Sequence, residues 1–504
     1  MPPTSSTRRR TATPLAPLEP DAFGEREARH LLWRAGFGGT RSQIRTLAGW
    51  GLERSVDYLV NFEQVPADEP APGLFDKDIM RPPTMEEEQL IRRARSTRDE
   101  DLLAKLRTER QRRQREDRKQ IRAMQEWWLT RMIETARPLE EKLTLFWHGH
   151  FATGYRTIEN SYHMFMQNQL FRAHAVGNFG ELAFAMIRDP AMLAYLDNND
   201  SRKDQPNENL ARELMELFTL GEGAYSERDI KEGARALTGF SFEDDAFVFR
   251  NNNHDYGIKT ILGTQGSLDG DGFVRAILET RACSRFIGAK LYDYFCRSVP
   301  LKEEEQDAGT RAIVRAMAGT MLRNRYEIKP VLRELFMSKH FYSDGVVGEQ
   351  IKSPAALVVG AVRSLGTPVR DLALLNDALG LMGQALFQPP NVKGWEGGRS
   401  WINTSTLFVR QNTLAFLLTG KAPGVRAKAD LYDPTALVRE LAGERAGDPR
   451  AAAEAIARFT LGRESERATA ELMALAKDAK GEMTPALGAG MLLLATALPE
   501  YQLC

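Results

Sequence analysis

FSFEDDAFVFRNNNHDYGIKTILG, residues 240–263, is where this chain changes character. Phe247, Val248 and Phe249 stand just before three asparagines, and Thr260, Ile261 and Leu262 follow them. Aromatic and β-branched residues on either side of a polar, turn-prone run predict a small β-hairpin or extended flap near 245–263. Elsewhere the apolar residues recur at spacings of three and four, the period of helices packed on one face. No fixed repeat is evident, and no succession of strand–helix units argues for a parallel sheet. The expected fold is therefore mainly α: a multi-helix globular fold with that one small β element.

The 504 residues are 42% hydrophobic and 27% charged, enough apolar material for a large core. Lys plus Arg and Asp plus Glu both total 68, so no global field draws in nucleic acid or a membrane surface, and a charged partner must meet a local patch. Three cysteines, Cys283, Cys296 and Cys504, make neither a disulfide framework nor a Cys-x-x-Cys pair. The apolar run at 487–498 is too short for a bilayer that takes roughly 20 residues, and predicts a buried helix instead.

Residues 1–21 carry an arginine cluster, but Pro14, Pro17 and Pro20 break the apolar run that an export signal needs, so a disordered tail is expected. Residues 22–65 read as a helical module split by Gly36, Gly38 and Gly39. Residues 66–136 combine a Pro-rich loop, expected to lie over a surface, with a charged arm. Its acids and bases interleave, which suits a protruding helical hairpin or long helix with a solvated face better than a nucleic-acid arm. Residues 137–425 form a helical core with the flap and a Trp/Gly loop, and 426–504 a C-terminal helical region.

Four stretches could carry chemistry. In NENLARELMELFTLGEG (207–223), Asn207 is a natural N-cap and Gly221 a natural stop. A 100° projection puts Glu208, Asn209, Arg212, Glu213 and Glu216 on one arc, opposite Leu210, Leu214, Leu217 and Phe218. This is either a wet face laced by pairs worth roughly 0.3 kcal/mol each, or a site where Glu213 and Glu216 hold a cation and Arg212 an anion. In FWHGHF, His148 and His150 share a metal only if Gly149 ends or loosens the helix; otherwise one is buried and hydrogen-bonded. In NNNHDYGIKT, His254 and Asp255 make a candidate base or ligand pair with Lys259 close behind, though turns favour Asn and Asp for backbone reasons alone. PPNVKGWEGGRSWINTS gathers Asn391, Lys393, Trp395, Arg399, Trp401 and Asn403 in a glycine-rich loop that starts a helix at about Thr404. Its tryptophans either stack on a flat or sugar-like ligand or plug the core.

Taken together, RHLLWRAGFGGT, EKLTLFWHGHFATG, the 207–240 stretch, HDYGIKTILG and LFQPPNVKGWEGGRSWINTSTLFVRQN resemble, in this order, the bacterial family catalogued as domain of unknown function 1800. The likeness runs from about His30 to the closing LATALPEYQ. It implies a helical fold and falls on His30, Arg34, His150, Asn207, Asn209, Arg212, Glu213, His254, Asp255, Lys259, Asn391, Gly394, Trp395, Trp401 and Asn403. It also implies a partner, a phosphatase- or sulfatase-like protein of domain of unknown function 1501, and an exported location for many members. The Pro-broken start favours the cytoplasm here, with the periplasm or export as the alternative if that start is trimmed or misassigned.

Two functions compete at this level. One is a metal-dependent hydrolase acting on an anionic or saccharide-like substrate: Glu213, Glu216 and Asp255 hold a divalent metal, with Glu213, His150 and His254 as catalytic groups. Arg212, Lys259, Asn391, Trp395, Arg399, Trp401 and Asn403 then bind the substrate. The other is a non-catalytic helical partner or maturation factor for the phosphatase- or sulfatase-like protein, its polar motifs forming buried hydrogen-bond networks. Both rest on the polar stretches meeting around one hollow.

Overall fold

The computed structural model describes residues 13–66, 70–421, 432–476 and 482–504. Among them are 23 α-helices and two small antiparallel two-stranded sheets, the mainly α architecture that the apolar spacing predicts. No helix among them is long and apolar enough to cross a membrane. The 487–498 run lies in the helix Pro485–Ala497, which turns Leu487, Met491, Leu492 and Ala495 into the core.

The strands fall where the sequence puts them but pair differently. Phe240–Glu243 pairs with Ala246–Phe249, and Lys259–Ile261 with Thr264–Gly266, so there are two hairpins, not one across the asparagines. Asp244 at φ 56°, and Leu262 and Gly263 at φ 50° and 85°, close two tight turns in the left-handed region. A two-residue closure costs far less chain entropy than one spanning the asparagines, which instead make a short 3-10 turn, Asn251–Asn253.

Residues 1–12 of the N-terminal stretch lie outside the described residues. Residues 13–21 are held: Leu15 is buried, and Leu18 donates its N–H to the Met337 carbonyl. The glycines split the next region into Glu25–Arg34 and Arg41–Trp50, the second opened by a Thr40–Gln43 capping box. The arm is a helical hairpin, Met85–Thr97 and Glu100–Glu134, turning at the left-handed Arg98. Its outer part is ion-paired along its own surface, as Arg92–Glu88 and Arg112–Glu109 show. The Pro-rich loop lies along the long helix, Phe75 packing edge-on against Trp127 and Phe165.

The centre is Pro138–His150, buried along nearly its whole length. One side anchors it through charge: the buried Glu141 accepts from Trp128 Nε1 at 2.8 Å and from Arg172 at 2.7 and 3.0 Å, and is also bonded by Arg131. A carboxylate without solvent persists only when its oxygens are satisfied in this way. The opposite side faces the hollow described next.

Candidate functional site

Lys142, Leu145, Phe146, Gly149 and His150 follow the i, i+3, i+4, i+7, i+8 pattern of one helical face, and all five line a cavity of about 500 Å³. Across it, Arg281–Phe295 contributes Lys290, Asp293 and Tyr294, again spaced i, i+3, i+4. The segment from Glu349 to Ser353 closes one side, and the Trp/Gly loop brings Lys393, Trp395, Glu396, Arg399 and Trp401 over the top.

Two glycines dock that loop. Gly394 has φ 82°, and a Cβ on it would stand 1.9 Å from the Gly149 carbonyl oxygen; a Cβ on Gly149 would meet the Trp395 ring at 3.2 Å. Gly149 thus neither ends nor loosens the helix, which continues to His150; it lets the loop backbone approach. Asn391 shapes the loop by accepting from the Lys393 N–H at 2.9 Å, and Asn403 caps Thr404–Thr419 by accepting from the Thr406 N–H at 2.9 Å. Neither asparagine lines the cavity; both hold backbone.

His148 and His150 point opposite ways, as regular helix geometry requires, and share nothing. His148 packs among Trp128, Phe171, Phe387 and Trp395, and burial lowers it to about 3. His150 is also lowered to about 3, by burial first and then by the Lys290 charge. Its Nε2 is 2.9 Å from the Phe218 carbonyl, and Nδ1 has no partner. Being neutral, the ring donates from Nε2 and leaves Nδ1 as a bare acceptor.

Phe218 belongs to the second half of the 207–223 stretch, which is not a continuous α-helix. Asn209–Glu213 is α, but Leu214–Thr219 is a π-helix, with Leu220 N–H reaching back five residues to the Met215 carbonyl at 2.8 Å. The wider turn breaks the 100° projection after Leu214. Asn207 accepts from the Asn209 N–H at 2.9 Å just before the helix starts. Arg212 is committed to Glu227 at 3.0 Å and Glu208 at 3.1 Å, and Glu216 accepts from the Tyr225 hydroxyl at 2.8 Å. Glu213 is half-buried; desolvation and then repulsion from Glu216 raise its carboxyl, against the opposing charges of Arg212 and Lys393.

His254, Asp255 and Lys259 form a separate neighbourhood. Asp255 takes Arg235 at 2.7 and 3.2 Å, which holds its carboxyl below the usual range. His254 Nδ1 lies 2.7 Å from the Thr238 carbonyl, and the buried Lys259 ammonium is tied to the carbonyls of Asp255 and Gly257. Of these three, none lines the cavity. Polar groups that satisfy one another this fully hold the flap in place.

The convergence is therefore partial. His150, Trp395, Arg399 and Trp401 share one hollow; Glu213 sits near its Lys393 edge; Arg212 and the flap residues are paired elsewhere. The three carboxylates expected to hold a metal do not meet, since Asp255 is spent on Arg235. Among the described residues no group of three or more His, Cys, Asp or Glu side chains could hold a metal ion. The residues do not fit the divalent metal read from the sequence.

Comparison with known families now adds what geometry alone lacks. The family described as "Protein of unknown function (DUF1800)" matches residues 30–503. The chain belongs to this family. No curated protein and no solved structure matches it. Two residues of the family pattern, His30 and Arg34, prove to be supports. His30 packs on Phe341 and Tyr342, while Arg34 donates to the Val346 carbonyl at 2.7 Å and binds Gln350, whose amide reaches the Asp293 and Tyr294 carbonyls on the cavity wall. Sequence reasoning missed Lys142, Lys290, Asp293, Tyr294 and Lys352. The signal for the first was legible: a lysine eight residues before His150 falls on the same helical face.

Two larger hollows, about 1140 Å³ between the C-terminal helices and about 1050 Å³ at the base of the arm, hold none of the candidate site side chains, the second meeting the Trp/Gly loop only at Pro389 and Pro390. They are wide grooves lined by surface charges.

Proposed function

We propose that the 500 Å³ cavity binds an anionic, saccharide-like molecule, its charged group on the lysines and its ring against Trp395 and Trp401. One observation carries this. Four cationic side chains, Lys142, Lys290, Lys393 and Arg399, line the hollow against three acidic side chains, Asp293, Glu349 and Glu396, with Cys504 also on the wall; Lys352 lines it too but is committed to the Tyr501 carbonyl. Cations gathered beside aromatic walls suit an anion carried on a ring. If the molecule is hydrolysed there, Asp293 is the carboxyl on the wall placed to donate a proton, and burial raises it above the usual carboxylate range. His150, lowered to about 3 by burial, is too weak a base for that step.

Titrating the protein with a sulfated disaccharide while following tryptophan fluorescence tests this. Saturable quenching is expected that weakens with salt, is lost in Trp395→Ala and is much smaller for the unsulfated sugar. Equal binding of both sugars, or none of either, refutes it.

The arm supports a second reading, a non-catalytic contact with a phosphatase- or sulfatase-like partner. In Met85–Thr97 only Ala94 is buried, while Met85 and Leu90 are exposed, so this helix adds surface without adding core. A pull-down that survives removal of residues 85–116 excludes the hairpin as that contact.

A further inference from the structure

Lys142 differs from the other cations of the cavity. It is 7% exposed, carries no ion pair or hydrogen bond at Nζ among the described residues, and its ammonium lies 5.1 Å from the Phe37 ring centroid and 5.6 Å from that of Tyr294. A buried lysine ordinarily survives by pairing with a carboxylate or carbonyl, as Lys352 does by donating to the Tyr501 carbonyl at 2.6 Å while lodged between Trp33 and Tyr501. Among the described residues the Lys142 ammonium contacts only ring faces, with the charge of Cys504 acting on it at longer range, and it shares the hollow with the cationic Lys290. The turn that carries it is held from the opposite wall, the Tyr294 hydroxyl donating to the Lys142 carbonyl at 3.0 Å.

We propose that Lys142 is a nucleophilic amine that condenses with a carbonyl carbon of the cavity's ligand, so that the ligand is an aldehyde or ketone bearing an anionic group. This rests on the anion-binding reading above and deepens it. The neutral Nζ adds to the carbonyl carbon and the π pair moves to oxygen; one proton passes from nitrogen to oxygen. The carbinolamine takes up a second proton and expels water, leaving a protonated imine. Amine, carbonyl and one proton become imine cation and one water, with no oxidant or reductant. The product keeps a single positive charge where the ammonium stood, so the neighbouring cations that hold the ligand's anionic group see no new field.

The amine is available for this. Burial lowers Lys142 to about 8, Arg34 adding to the shift and Cys504 opposing it. At pH 7 that leaves on the order of 200-fold more free amine than a lysine at its ordinary value near 10.4. An amine in a water-poor pocket beside other cations is the recurrent setting of imine-forming lysines.

Pyridoxal 5′-phosphate, an aldehyde with a phosphate, is the probe. Full-length protein is incubated with it at pH 7.5, reduced with sodium borohydride and mapped by peptide mass. The expected result is an adduct at Lys142 forming at least tenfold faster than at the exposed Lys105, and absent in Lys142→Met. Pyridoxine 5′-phosphate, which has the alcohol in place of the aldehyde, reports binding alone by equilibrium dialysis and is expected to block the adduct. If pyridoxine phosphate binds but labelling spreads evenly over surface lysines, the inference is overturned while the anion site stands. If neither compound binds, the anion reading falls as well. Mapping on the unsubstituted chain decides the matter even where Lys142→Met fails to fold.

Discussion

Replacing Gly394 with alanine is the sharpest test of how the cavity is built. At φ 82° an alanine sits in the left-handed region, which costs an L-residue roughly 1–2 kcal/mol. The added Cβ would also stand 1.9 Å from the Gly149 carbonyl oxygen, backbone that cannot rotate away. Restoring ordinary contact, at about 3.4 Å, moves the loop outward by about 1.5 Å, enough to unseat Trp395 from the helix. Together these predict a destabilisation of about 2–4 kcal/mol, confined to the loop if it opens locally. The assay is paired: thermal unfolding for the fold, and hydrogen exchange across residues 391–401 for the loop. The control is Gly49→Ala, in the helix Arg41–Trp50 with nothing within 4 Å of the new Cβ, expected to gain about 0.5–1 kcal/mol. Gly394→Ala with wild-type melting and unchanged exchange in the loop would refute the docking argument, and with it the account of Gly149.

Two further outcomes follow from the paired neighbourhoods. Asp255→Asn loses the charged pair with Arg235, whose side chains are 19% and 27% exposed, and is expected to cost about 1.5–3 kcal/mol without weakening sulfated-disaccharide binding. Because Arg235 lowers the Asp255 carboxyl in the folded chain, that stabilisation is present above the unfolded value near 3.9 and fades as pH falls through the folded one; denaturant curves at pH 7 and pH 3 should show the variant's deficit shrink. Glu213→Gln is expected to raise the melting temperature. The Glu213 carboxyl is raised on folding, so it opposes stability once pH passes its unfolded value near 4.3; the gain should appear at pH 8, vanish at pH 4, and its absence at both would contradict the desolvation argument.

Several of these features were legible in the letters. Periodicity gave the helices, and the run at 240–263 gave strands in the right place, because side-chain spacing reports local burial directly. The break at Gly36–Gly39 and the helix start at about Thr404 are local chemistry of the same kind, whereas Asn403, read as a substrate contact, proves to be the cap of that helix. The π-turn at Leu214–Thr219 was not legible, since no residue type requires it; a wider helical turn is stabilised by what it meets, here the His150 ring on the Phe218 carbonyl.

Alone, the sequence determined which residues are polar where packing would not call for them, and placed them on elements of known phase. Only the tertiary structure decided which of those residues are free. Asp255 and Arg212 look like ligands in the sequence, but each is neutralised by a residue 15 to 20 positions away in the chain, Arg235 or Glu227. Lys142 sits unremarked in an apolar helix and, among the described residues, is left by the walls around it without an ion-pair or hydrogen-bond partner. Whether a charge is paired depends on neighbours distant in sequence, and spacing along one helix carries no information about them.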